Sequence, residues 1–320
     1  MIHTNHRPDP SSVSLRGVFT AITTPFTPDA SAIDFSRLGK QIQMQAQGGI
    51  TGIVVSGTTG ESPTLEESEY HALVETCTRL GREAGLMVIA GAGSNSTAHA
   101  VAMQKFAREA GADATLSVNP YYNKPTQEGL YRHFMTLADA ADIPIMLYNI
   151  PGRTGVALTP ATVERLAAHP NIRAVKEATG STDSASEIAM RAPGLALLSG
   201  DDTMTLPFMS VGAVGVVSVV SNVLPKKVVA LCETFLGGKI AEAQRIHREL
   251  FEVCRAMFLE TNPIPVKAAM KLLGLDCGSM RLPMTEATPQ TIEKVRAALD
   301  AAGVIEAGAG CGKPGCGCGR

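Results

Sequence analysis

The sequence predicts an α/β protein built as a closed (β/α)8 barrel with a C-terminal helical extension, and three observations predict it. Short apolar runs alternate with amphipathic stretches over roughly 220 residues with no linker between them, close to the span such a barrel needs. Most of the runs are rich in Val, Ile and Leu without strict polar alternation, as expected of parallel strands covered on both faces. The competing architecture, a doubly wound sheet, usually carries a glycine-rich dinucleotide turn after its first strand. Here the first run ends in Thr23-Thr24-Pro25-Phe26, which cannot act that way.

In chain order, the apolar runs predict strands over 17–26, 49–57, 86–93, 114–120, 143–150, 172–179, 195–202 and 215–222. Helical patterns lie between them, including 34–47, 65–82, 97–109, 128–141 and 182–191. Thr64 with Glu67 three residues on reads as a capping box, and Thr159-Pro160 reads as an N-cap followed by proline at the first helical position. Beyond the barrel, 239–261 places Ile240, Ala243, Ile246, Leu250, Cys254 and Met257 at helical spacing. Further helical patterns at 266–273 and 289–302 complete the extension, a natural candidate for subunit packing. The implied division is an N-terminal flexible segment over 1–14, the barrel over 15–237, the helical extension over 238–304 and a Gly/Cys-rich tail over 305–320.

Composition narrows the function classes. Of 320 residues, 45% are hydrophobic, enough for a large core, and the net charge of -2 lacks the positive balance of a nucleic-acid binder. No run supplies the roughly 20 apolar residues of a membrane span, and the polar start has no signal-peptide core. The expected location is cytoplasmic. Trp is absent and aromatics make up 4%, which argues against aromatic platforms for sugars or single strands. Cys77, Cys232, Cys254 and Cys277 sit in apolar or helical contexts as small core hydrophobes. Cys311, Cys316 and Cys318 crowd the tail without an obvious fourth ligand or zinc-ribbon spacing, so a flexible tail is favoured over a metal site.

In such barrels the reacting groups lie at the C-terminal ends of strands. Those ends read Thr23-Thr24, Gly57-Thr58-Thr59-Gly60-Glu61-Ser62, Asn119-Pro120-Tyr121-Tyr122, Tyr148-Asn149-Ile150-Pro151, Lys176-Glu177 and Gly200-Asp201-Asp202. They are poor in histidine, hold no metal-ligand cluster and are rich in hydroxyls. Lys176, inside an otherwise apolar strand, is the most informative residue. Burial should lower its pKa and leave a nucleophilic amine able to form a Schiff base; the competing reading is a structural ion pair with Glu177 or another acid, and placement alone does not choose. Tyr148 could move protons through the hydroxyls of Thr58 and Tyr122, or serve as a half-buried packing ring. Arg153 could clamp a carboxylate, or be a surface arginine. Backbone N–H groups of 57–60 could hold a carboxylate; without a following Gly-Lys-Ser/Thr, they do not form a phosphate loop.

The set of motifs resembles the dihydrodipicolinate synthase family. The matching stretches are Gly57-Thr58-Thr59-Gly60-Glu61-Ser62, Pro120-Tyr121-Tyr122-Asn123-Lys124-Pro125, Leu147-Tyr148-Asn149-Ile150-Pro151-Gly152-Arg153-Thr154-Gly155 and Val175-Lys176-Glu177-Ala178-Thr179-Gly180. Ser199-Gly200-Asp201-Asp202 and Asn262-Pro263-Ile264-Pro265-Val266-Lys267 continue it in the family's order and spacing. The resemblance implies a lyase of lysine biosynthesis that condenses pyruvate with L-aspartate 4-semialdehyde through a lysine imine, with Lys176 as that lysine. It makes Tyr148, Thr58 and Tyr122 a proton relay, Tyr122 serving the neighbouring subunit's site. It gives Thr59 the pyruvate carboxylate, Arg153 the semialdehyde carboxylate, and Gly200 and Val217 main-chain contacts in the pocket. It also implies a homotetramer, a dimer of dimers, with no metal or organic cofactor.

Other lysine-imine aldolases, such as N-acetylneuraminate lyase or a keto-deoxy sugar acid aldolase, share barrel and lysine; Arg153 and Tyr122 favour the synthase. A non-catalytic sensor would be expected to have a broken lysine or relay, and neither is broken. Ser62, Asn95 and Tyr121 match the cleft where lysine-inhibited members bind their end product. Glu67 and Tyr70 replace histidines of that cleft, and His99 replaces its acidic residue, so weak or absent inhibition by lysine is expected.

Overall fold

The computed structural model describes residues 13–275 and 277–305. Eight parallel strands, β1 (Gly17–Ala21), β2 (Gly52–Val55), β3 (Met87–Gly91), β4 (Ala114–Val118), β5 (Ile145–Asn149), β6 (Ile172–Glu177), β7 (Ala196–Ser199) and β8 (Gly215–Ser218), close into a barrel in sequence order. The helices are α1 (Phe35–Gln47), α2 (Glu67–Glu83), α3 (Thr97–Glu109), α4 (Gln127–Ala140), a single turn α5 (Pro151–Thr154), α6 (Pro160–Ala167), α7 (Thr182–Arg191), α8 (Thr205–Ser210) and α9 (Pro225–Leu236). The extension adds α10 (Ile240–Ala256), α11 (Ile264–Leu272) and α12 (Pro289–Ala301).

Every predicted strand is present but shorter than predicted. The apolar run overshoots because the residues after each strand stay buried while their backbone turns into loops. Ser56, for example, is buried yet has φ 54°, which ends β2. Closure is tightest where β8 meets β1: a Cβ on Gly215 would fall 1.8 Å from the Gly17 carbonyl oxygen. Only glycine fits there.

Alternation sorts each strand into two faces. Phe19, Val54, Ile89, Leu116, Met146, Tyr148, Ala174, Leu198 and Val217 fill the barrel interior. Val18, Leu147, Val175, Leu197 and Val216 face the helices. That outer core continues without a break into Leu250, Val253, Val266, Met270, Val295 and Leu299 of the extension. The extension thus packs on its own barrel, a use of its apolar faces that the subunit-packing expectation omits.

Caps agree in part with the sequence reading. Thr159 Oγ1 accepts from Thr162 N–H, as expected for the N-cap of α6. The capping box of α2, however, belongs to Glu66 and Glu69 rather than Thr64 and Glu67. Thr64 is drawn into a 3-10 turn (Ser62–Thr64), where its hydroxyl donates to the Glu61 carbonyl. The cysteines of the predicted tail lie outside the described residues. The other four are buried and form no disulfide.

Candidate active site

Strands β5 and β6 pair so that Tyr148 lies opposite Lys176. Both side chains point inward, and Lys176 Nζ sits 4.0 Å from the Tyr148 ring centroid. Lys176 is buried, and desolvation pulls its pKa from 10.5 down to about 7; Asp202 opposes this and Arg153 assists it. Glu177, one residue on, faces the other way. Its carboxylate accepts from Asn149 Nδ2 at 2.9 Å and from the Thr179 N–H at 2.8 Å. The Lys176–Glu177 ion pair left open by the sequence is therefore not made, and with a pKa of about 7 a large share of the Lys176 amine is neutral and nucleophilic near pH 7.

Burial pushes the Tyr148 phenol up to about 12, with Arg153 lowering it and Asp201 raising it. Tyr148 is thus a protonated donor at neutral pH, and it is fully part of the interior rather than a half-buried ring. Thr58 and Tyr148 line one narrow cleft of about 70 Å³ with Ser56, Gly91, Gly93 and Val118. Among the described residues no hydrogen bond joins Thr58 to Tyr148. Tyr122 stands apart: it is 90% exposed with φ 72°, in the loop between β4 and α4.

The rim is built by local backbone devices. After β5, Pro151 starts the single turn α5, and Gly155 ends it in the left-handed conformation. This turn carries Arg153 at the mouth, where its Nη2 donates to the Asn262 carbonyl at 3.3 Å. Thr59 is buried, and its Oγ1 accepts from Asn262 Nδ2 at 3.0 Å. Gly200 leaves room beside the lysine, since a Cβ there would lie 2.8 Å from Ala178 Cβ and 3.0 Å from Lys176 Cγ. Val217 is buried on the inner face of β8.

Several positions that the sequence reading quotes within motifs but gives no role come together at the site. Asn262 touches both Thr59 and Arg153. Asp202 is buried and accepts from Ser218 Oγ at 2.5 Å and from the N–H groups of Val219 and Val220 at 2.9 and 3.2 Å. These bonds tie the end of β8 to Asp202, the residue whose charge opposes the depression of Lys176. Glu61 and Lys267 form a buried ion pair. Lys267 carried a usable signal, being a lysine within an apolar helical pattern, the same signal that singled out Lys176.

Ser62, Glu67, Tyr70, His99 and Tyr121 line a cavity of about 630 Å³ that also reaches Thr58 and Arg153. Asn95, beside Ser94 of that lining, offers its carbonyl to Asn123 Nδ2 at 2.9 Å. Glu67 directs its carboxylate to solvent, 86% exposed and 4.0 Å from His71. The Tyr70 hydroxyl is buried with no hydrogen-bond partner. Among the described residues no group of three or more His, Cys, Asp or Glu could hold a metal ion, and no helix is long and apolar enough to cross a membrane.

Residues 14–302 match the Dihydrodipicolinate synthetase family. The chain is 46% identical over 291 residues to the 4-hydroxy-tetrahydrodipicolinate synthase of Endomicrobium trichonymphae, covering 91% of this chain and 99% of that one. It is 48% identical over 270 residues to the synthase of Geotalea daltonii, covering 84% and 92%. The crystal structure of the Cyanidioschyzon merolae synthase with lysine bound superposes with a TM-score of 0.89 at 43% identity, covering 91% of this chain and 99% of that one.

Proposed function

The chain belongs to the dihydrodipicolinate synthetase family, and from that premise we infer its reaction: it is a lyase that condenses pyruvate with L-aspartate 4-semialdehyde to give 4-hydroxy-tetrahydrodipicolinate. The observation that carries the mechanism is the buried amine of Lys176 against the Tyr148 ring, where desolvation brings its pKa down to about 7. That amine attacks the pyruvate carbonyl carbon, and loss of water leaves an imine. The iminium draws electrons from the methyl group, which loses a proton to give an enamine. The enamine carbon attacks the aldehyde of the semialdehyde, forming the carbon–carbon bond. The amino group of the added substrate then attacks the imine carbon, releases Lys176 and closes the ring.

Tyr148, protonated at neutral pH, gives and recovers the protons of these steps, with Thr58 and a neighbouring subunit's Tyr122 as the rest of the relay. Thr59 holds the pyruvate carboxylate, with main-chain groups of Gly200 and Val217 completing the pocket. Arg153, at the mouth, takes the carboxylate of the semialdehyde. The exposure of Tyr122 supports a dimer contact that buries it, within a homotetramer. We place the enzyme in the cytoplasm and assign the chemistry to residues 15–237, with 238–304 as the supporting extension. The cleft lined by Ser62, Glu67, Tyr70, His99 and Tyr121, beside Asn95, gives weak or absent inhibition by lysine, because Glu67 faces solvent and His99 supplies no anion.

Trapping with borohydride in the presence of pyruvate tests the central step. Intact mass and peptide mapping should place one reduced pyruvyl adduct on Lys176. An adduct on another lysine, or none under turnover conditions, overturns the assignment.

A further inference from the structure

We propose that the buried Glu61–Lys267 ion pair is a positioning device for this reaction. From the C-terminal extension it fixes the loop that presents Thr58 and Thr59, and so sets the grip on the keto-acid carboxylate. The inference rests on the role given to Thr59 above.

The loop after β2 is held in a conformation that its own side chains do not favour. Glu61 has φ 55°, in the left-handed region that costs a residue with a Cβ. The loop closes on itself: Gly57 carbonyl accepts the N–H groups of Gly60 and Ser62, and Thr58 carbonyl accepts that of Glu61. Thr24 Oγ1 donates to the Gly60 carbonyl at 2.7 Å. Any shift of Glu61 is thereby passed directly to Thr58 and Thr59.

What holds Glu61 comes from the far end of the chain. Its carboxylate pairs with Lys267 Nζ and accepts the Arg281 N–H at 3.1 Å. Lys267 also donates to the Ser279 carbonyl at 3.2 Å and lies 4.8 Å from the Phe26 ring centroid. The paired side chains are 1% and 4% exposed. A pair so fully desolvated is costly, and apolar residues of similar volume often serve stability as well. Its presence here fits a demand on geometry. The same segment supplies Asn262, five residues before Lys267, whose Nδ2 donates to Thr59 Oγ1. With its oxygen already accepting, the Thr59 hydroxyl is left with its proton to donate, which is what a carboxylate requires.

Three variants test this: E61Q, the double variant E61Q/K267M, and N262A. Each is measured for steady-state constants with both substrates, for its melting temperature and for borohydride trapping at sub-saturating pyruvate. E61Q should lower the melting temperature and raise the pyruvate KM about tenfold with little change in kcat. The double variant leaves no unpaired charge, so its melting temperature should recover while the raised pyruvate KM persists and the semialdehyde KM stays near wild type. N262A should raise the pyruvate KM by itself. A double variant with a wild-type pyruvate KM overturns the positioning role, as does a common loss of kcat and both KM values that follows the folded fraction. Wild-type labelling in the same trapping run separates the questions: its absence sinks the imine assignment, whereas labelling combined with a normal KM in the double variant sinks only the positioning role.

Discussion

Lys176 was legible because a cation inside an apolar strand is costly, and proteins tolerate it only where the charge can be shed or paired. Its fate was not legible, since strand alternation and the partners of Glu177 decide it, and those partners are Asn149 and Thr179. A pKa of about 7 predicts that kcat/KM for pyruvate rises from pH 6 to 8 and then levels, where an unperturbed lysine would still be gaining near pH 10. The same shift predicts a stability change. Below pH 7 the folded chain bears the full penalty, and the penalty fades as pH rises towards the unfolded value of 10.5. Lys176→Met should therefore abolish turnover yet raise the melting temperature at pH 7, by at most on the order of 4 kcal/mol in stability. Calorimetry at pH 7 and 10 checks the sign, because the gain should shrink at the higher pH. Tyr148→Phe should cost about 10²-fold in turnover. A near-normal rate in steady-state assays would remove Tyr148 from proton transfer.

At the scale of elements, all eight strands could be read from apolar runs, and helices 97–109 and 182–191 match α3 and α7 at both ends. Boundaries were lost where loop residues are as buried as strand residues, as at Ser56. The capping box of α2 was lost because three neighbouring residues, Thr64, Glu66 and Glu67, all offer plausible caps. The choice falls to Glu66 and Glu69, and Glu69 also meets Arg281 at 2.5 and 2.6 Å. The end of β7 carries its own prediction. Gly200→Ala would press a methyl group against Ala178 and Lys176, both on the neighbouring strand and its exit. Overpacking of this kind costs about 1–3 kcal/mol, and here it displaces the lysine stem. Borohydride labelling at fixed pyruvate should slow at least about tenfold, while the circular dichroism spectrum stays that of a folded barrel.

The whole molecule was least legible, because its decisive contacts join residues far apart in sequence. Asn262 and Thr59 are 203 positions apart, and no local pattern links them. Exposure of Tyr122 predicts assembly: sedimentation at assay concentration should show a tetramer, and a fully active monomer would refute the shared relay. A lysine titration should leave turnover nearly unchanged, whereas saturable inhibition below millimolar lysine would show that Glu67 swings inward. The dependence of the β2 loop on α11 also bears on the order of synthesis. A ribosome completes the barrel strands at Ser218 but makes Lys267 only 49 residues later (267 minus 218), about 2–10 s at ~5–20 residues per second. During that interval Lys176 has been made, but the partner of Glu61 has not. A chain stalled short of Asn262 lacks the residue that donates to Thr59, and on the positioning role proposed above it should hold pyruvate poorly even where its barrel strands have formed.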